Sequence, residues 1–315
     1  MEAFTNSLLF HGFDAYSHAF PPSIFCNSVP SPSPITLPKR NLFHPAARRN
    51  ILSRKAGGHS NLQSSPDMRS LNKLEEDNYR DFSMELKDKN DFLTIADNNN
   101  LISICGFGSL LSVKSARSTF PDLLNFRMGI LNNFRRVFGH VAPVFLERGI
   151  ANIETKEISS LSVEPCHGES IVITIFEISL SQVSAFIERE HEFRFLAVTP
   201  ISLEGKPFPQ QAVVCSRYND KEYHSVRCKG SEEKYHRRYG QYNINQIWRD
   251  DIFPCRLYLR HCVLAARNLG LEAYDNFLDH TYLGDRKTTI RQYLALKPDI
   301  MEEEAPDNLK NRYGG

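Results

Sequence analysis

The order in which two periodicities run along the chain limits its fold more than any other feature. Through residues 101–216 the apolar side chains come in short continuous or alternating runs; through residues 231–296 they recur at helical spacing. The first block predicts strands at Leu101–Cys105, around Phe126, Met128 and Ile130, through Arg135–Gly139, and at Ile150–Ile153. It continues with Ile171–Phe176, Phe193–Val198 and Ala212–Ser216. One helix interrupts it, from Ser181 as N-cap to about Glu192. The second block predicts helices at about 231–242, 254–269, 271–281 and 286–296, with Pro254 in a first turn and Gly270 as a C-cap. Strands first and helices last imply an α+β fold: a curled or closed sheet with helices packed on it and a C-terminal helical extension.

The 315 residues carry a formal net charge of +1, but that figure sums two unlike pieces. Residues 1–60 hold two acids, Glu2 and Asp14, against six bases, together with eight serines and seven of the 17 prolines. Residues 61–315 are mildly acidic, with 32 bases against 35 acids. A serine-rich, acid-poor leader with late arginines has the composition of an organelle transit peptide. Its prolines would break the amphipathic helix of a mitochondrial presequence, so the expected destination is the chloroplast stroma, with the mitochondrion as the alternative. Residues 61–100 read as a polar linker, with one short helix around Leu71, Leu74, Phe82, Met84 and Leu86 and a turn at Asn98–Asn100. The folded domain is expected over 101–298, followed by an acidic, polar tail over 299–315.

No run of residues is long and apolar enough for a membrane span. The cysteines form no CxxC pair, and their scatter predicts reduced thiols and no metal site. The basic-aromatic stretch Lys234–Tyr239 has the residue types that contact nucleic acid, but Glu232, Glu233, Asp250 and Asp251 flank it. It reads as a helix with a solvated charged face, so no nucleic-acid partner is expected.

Two segments carry chemistry. Gly106, Phe107, Gly108, Ser109 and Leu110 follow a buried strand, and glycines there let backbone N–H groups approach a carboxylate or oxyanion closely. The spacing matches neither a dinucleotide fingerprint nor a Walker A loop. In the helix from Ser181, Val183, Phe186 and Ile187 form an apolar stripe that Glu190 continues, while Glu188 and Glu192 fall on solvated faces. A carboxylate aimed toward a core suits general acid/base work.

Phe107-Gly108-Ser109-Leu110, followed about 80 residues later by Arg189-Glu190 and then Phe195 to Pro200, resembles the gamma-glutamylcyclotransferase-like superfamily, in flavour its ChaC-like branch. The resemblance covers roughly residues 101–215. It implies a small mixed β-barrel that binds a gamma-glutamyl substrate, with Gly106, Phe107, Gly108, Ser109 and Leu110 holding the charged end. Glu190 would be the general acid/base, releasing 5-oxoproline without metal or cofactor, in the chemistry of glutathione metabolism. Phe107 stands where the family usually has tyrosine, and the region around Tyr274–His280 extends a minimal family domain. The alternative is a non-catalytic metabolite-binding or protein-interaction module of the same fold. The catalytic reading expects the Glu190 carboxylate to face residues 106–111 across a cavity able to hold a glutamyl group, and it fails if that carboxylate points to solvent or is locked to an arginine with no cavity.

Overall fold

The computed structural model describes residues 84–313. The transit-peptide expectation for residues 1–60, and the apolar positions Leu71, Leu74 and Phe82, lie outside the described residues. In chain order the elements begin with β1 (Met84–Leu86), α1 (Lys89–Leu93), β2 (Leu101–Gly106), a 3-10 turn (Ser109–Leu111) and α2 (Val113–Thr119). Next come β3 (Leu124–Val141), α3 (Pro143–Glu147), β4 (Glu157–Ser179), α4 (Val183–Arg189), β5 (Arg194–Val198) and β6 (Ala212–Ser216). The remainder is α5 (Asp220–Val226), α6 (Glu232–Arg238), β7 (Phe253–Pro254), α7 (Arg256–Leu269), α8 (Leu271–Asp279), β8 (Thr281–Leu283), α9 (Ile290–Leu296) and α10 (Lys310–Tyr313). No described helix is long and apolar enough to cross a membrane.

The architecture is α+β, built on one mixed sheet of order β1-β5-β6-β2-β4-β3-β8, with β7 added to β4. The sheet curls on itself through β6. This strand pairs in parallel with β2 at Ser103↔Ala212 and Ile104↔Val213, then passes to β4 at Val163↔Ser216. β2 ends at Gly106, just where its neighbour changes partners, and the glycine segment leaves the sheet at that divergence. β3 and β4 form a long antiparallel pair, interrupted where Cys166–Glu169 bulge out between the partnered Pro165 and Ser170. Gly168 at φ +84° turns the chain within that bulge.

Alternation along the strands sorts side chains onto two faces. Ile102, Ile104, Phe176, Phe195, Val213 and Cys215 share one core with Val183 and Phe186 of α4. Cys105, Ile173, Ile175, Leu196 and Val214 pack on the other face. Helices α7 and α8 cover a third cluster around Leu111, Phe138 and Leu161. Each fully buried large apolar side chain contributes about 1.5–3 kcal/mol against exposure. The six described cysteines are free thiols, five of them buried.

Several expectations are corrected. Met84 and Leu86 belong to an edge strand paired with β5, not to a linker helix, because the spacing of Phe82, Met84 and Leu86 has period two. The sheet therefore takes in residues before 101. Ile150–Ile153 is no strand: the N–H groups of Ile150 and Ala151 both bond to Phe145 O, wrapping the chain around α3. Pro254 pairs as a strand residue with Ser159, and α7 starts at Arg256. Residues 298–313 pack on the body through buried Ile300, Ala305 and Tyr313.

Candidate active site

The glycine segment is held by three neighbours. A Cβ on Gly106 would lie 2.5 Å from Thr174 Oγ1 and 2.9 Å from Leu110 O, so no larger residue fits without movement. The Thr174 hydroxyl donates to Leu110 O at 2.9 Å, clamping the loop over that glycine. A Cβ on Gly108 would meet Leu161 at 3.1 Å and the Tyr258 hydroxyl at 3.2 Å. In the 3-10 turn the first bond runs from Leu111 N to Gly108 O, so the turn itself does not use the N–H groups of Gly108, Ser109 and Leu110. Ser109 and Leu110 are half-buried; Phe107 packs against all three main clusters.

Beneath the loop lies Arg136, fully buried. Its Nε donates to Phe107 O at 2.8 Å, Nη1 to Asn276 Oδ1 at 3.1 Å and Nη2 to Val172 O. The guanidinium sits 5.2 Å from the centre of the Phe277 ring, and burial pushes its pKa down to about 9. Asn276 also accepts from Val172 N and donates to Ser170 O, so α8, in the helical extension, hooks into β4 under the loop.

Glu190 stands at the C-cap of α4, its N–H bonded to Phe186 O at 2.9 Å. The helix ends two to three residues before the expected Glu192. Phe193 N–H closes a turn onto Glu190 O, and Phe193 is buried before β5 begins at Arg194. Glu190 Oε1 lies 3.0 Å from Arg189 Nε, with side-chain exposures of 20% and 38%. The Arg189 guanidinium sits 5.7 Å from the centre of the Phe120 ring. Burial raises the Cys215 thiol well above its ordinary value, and the nearby carboxylates of Glu190 and Glu192 add to that rise. Cys215 shares its face of the sheet with Ile104 and Val213, and strand alternation puts Gly106 on that face too. Helix α4, which Glu190 caps, packs on this face through Val183 and Phe186, so the loop and Glu190 lie on one side of the sheet.

The two described clefts lie elsewhere, one around Ser115 and His261 and one around Arg217 and Arg286. The Glu190 carboxylate pairs with Arg189.

The expectation that Glu192 is solvated is corrected. The turn after α4 folds it back to 4.0 Å from His140 Nε2 and 3.7 Å from His191 Nε2. Burial, then the Glu190 carboxylate, pushes its pKa up to about 8. Helical periodicity hid this residue, because it lies outside the helix. His140 is 1% exposed, stacked 4.8 Å from Trp248, and burial lowers its pKa to about 3. Neither His140 ring nitrogen nor Trp248 Nε1 has a hydrogen-bond partner among the described residues. His191 bonds the Tyr223 hydroxyl at 3.1 Å and is likewise held neutral, chiefly by burial, with a pKa of about 3. A histidine inside the apolar run Val137–Val141 was the one legible sign of this corner.

In the Lys234–Tyr239 stretch, Tyr239 is buried against Tyr223 and Arg238 pairs with Glu188.

No known family's sequence model matches the chain, and no curated protein matches it. Solved structures that resemble it in part include three from different proteins. An uncharacterized protein from Homo sapiens is 17% identical, covering 48% of this chain and 90% of that one at a TM-score of 0.32. A gamma-glutamyl cyclotransferase is 15% identical over 48% of this chain and 90% of its own, at 0.30. A protein from Arabidopsis thaliana is 10% identical over 45% and 92%, at 0.29. Overlaps this loose carry no argument about chemistry, which has to come from the residues themselves.

Proposed function

We propose that the chain is a gamma-glutamylcyclotransferase-like enzyme of the ChaC-like branch, releasing 5-oxoproline from a gamma-glutamyl peptide or amine. The observation that carries this reading is the shared sheet face: a glycine segment with amides unused by its own turn, and a half-buried Glu190 beside a second carboxylate. The amides of Gly108, Ser109 and Leu110 bind the charged end of the glutamyl group. Its α-amine nitrogen attacks the γ-carbonyl carbon and gives a proton to Glu190. The new C–N bond closes the five-membered ring; the old one breaks as Glu190 returns the proton to the departing nitrogen. Because attack is intramolecular, positioning supplies much of the acceleration.

Arg189 occupies the place a substrate ammonium would take on Glu190. The pair is exposed enough to contribute little stability, so substrate can displace it. Glu192 keeps its proton near neutrality and spares Glu190 a second full negative charge nearby.

The Arg189–Glu190 ion pair also favours a second reading, a non-catalytic module that binds gamma-glutamyl metabolites or a protein partner. Incubating the protein with glutathione, gamma-glutamyl dipeptides and gamma-glutamyl-amines separates the two. The enzyme reading expects 5-oxoproline; binding by calorimetry without product supports the module. Residues 1–60 are proposed as a plastid transit peptide, tested by the destination of a fluorescent protein carrying them; import into mitochondria is the competing outcome.

A further inference from the structure

A second polar site lies apart from Glu190, where α2, α7 and α10 meet. The cleft is lined by Ser112, Lys114, Ser115, Ser118, His261 and Arg312, and none of its lining residues is acidic. It is a shallow cleft that opens to solvent. His261, only 5% exposed, forms its wall; its Nε2 lies 3.0 Å from Ser115 Oγ, and its Nδ1 has no partner among the described residues. Lowered chiefly by burial, then by Arg312, Lys114 and Arg260, its pKa falls to about 4. The three cations add a smaller lowering to that of burial, as a positive potential at the imidazole would. Ser112 Oγ accepts from Ser115 N, which leaves its hydroxyl hydrogen for another acceptor.

Arg312 is brought here by the burial of the next residue. Tyr313 is 2% exposed, takes a 2.6 Å hydrogen bond from Arg148 and packs edge-on against His261 at 5.6 Å. The Ser115–His261 contact is not the start of a hydrolase triad, because no carboxylate lines the cleft to orient the imidazole. Serine hydroxyls, two cations and a neutral imidazole match an anion with several acceptor oxygens on one centre.

We propose that this cleft binds a phosphate group, with Lys114 and Arg312 neutralising its charge and Ser112, Ser115 and His261 setting its orientation. The phosphate arrives either as free phosphate or as a small phosphomonoester; the recognition chemistry is the same. The site does not depend on the gamma-glutamyl reading. In sequence it begins one residue beyond the glycine-loop turn, at Ser112.

The test uses the full chain and isothermal calorimetry, with inorganic phosphate in one arm and glycerol 3-phosphate in the other. Saturable binding in either arm is expected, and the tighter arm identifies the source. Lys114 and Arg312 are exposed, so Lys114→Gln and Arg312→Gln are expected to keep the wild-type circular dichroism. Each should weaken binding by about tenfold, and the pair by more. Added chloride should weaken it further in wild type. Absence of binding in both arms at 10 mM (~ten times a millimolar Kd) would overturn the proposal. Unchanged affinity in the double variant would overturn it too, since the anion would then sit elsewhere, for example by Arg217 and Arg286.

Discussion

A buried and a half-buried carboxylate meet opposite fates in this molecule. Glu164, on β4, receives Arg135 at 2.6 Å, Arg286 at 2.9 Å and Arg217 at 3.1 Å. Burial alone would raise its pKa, but the three guanidiniums hold it down to about 2. Glu192, beyond α4, lies near two neutral histidines and the repelling Glu190; burial first and then Glu190 move its pKa up to about 8, against the smaller opposing pull of Arg238 and Arg189. The first arrangement is a satisfied charge network that ties β3, β4, the segment after β6 and the β8–α9 connection together. The second keeps a titratable group and three ring nitrogens with no hydrogen-bond partner among the described residues out of water, which is where chemistry or a ligand is expected.

The largest effect should come from breaking the satisfied member. Glu164→Gln leaves three partly buried arginines without their shared carboxylate, and urea denaturation should show a loss of about 3–5 kcal/mol. A loss under about 1 kcal/mol would mean solvent already screens the cluster.

Gly106→Ala comes next, because its Cβ would press on Thr174 and the Leu110 carbonyl. The expected cost is about 1–3 kcal/mol of stability. If the loop is the substrate site, 5-oxoproline formation should fall further than the fraction of folded protein does.

The pH dependence sharpens the contrast at smaller scale. Between the ordinary carboxyl value of 4.5 and about 8, folded Glu192 holds a proton that the unfolded chain releases. Stability from this group is therefore present below 4.5 and is lost as pH rises toward 8. His140 and His191 act oppositely: the unfolded chain protonates below 6.5, the folded one only near 3, so stability falls as pH drops below 6.5. From pH 6.5 to 8 the wild type should lose stability while Glu192→Gln stays level. A wild type that is flat across that window would place Glu192 in solvent. Smallest of all, His140→Leu should change stability by less than about 1 kcal/mol or raise it, since two unpartnered polar atoms leave the core.

Local pattern revealed the sheet better than the site. β2, β5 and β6 were legible because their apolar runs are short, continuous and bounded by turn residues. The division of β3 and β4 into shorter pieces was an artefact of their bulges, where Asn133 and Gly168 interrupt the alternation without ending the strands. Helices α2, α3 and α5 escaped notice because each is only five to seven residues long, too short to show a periodicity. Glu190 stood out by continuing an apolar stripe, although the helix stops just before it. Glu192 and His140 are joined by a turn and a cross-sheet contact between residues far apart in sequence, which no local pattern encodes.

The most direct test is the rate of 5-oxoproline release from glutathione and other gamma-glutamyl compounds by wild type and by Glu190→Gln. The account predicts product from at least one substrate and a loss of about a hundredfold or more in the variant, with its circular dichroism and melting curve unchanged. Product from no gamma-glutamyl compound, or equal rates in the two proteins, would contradict it.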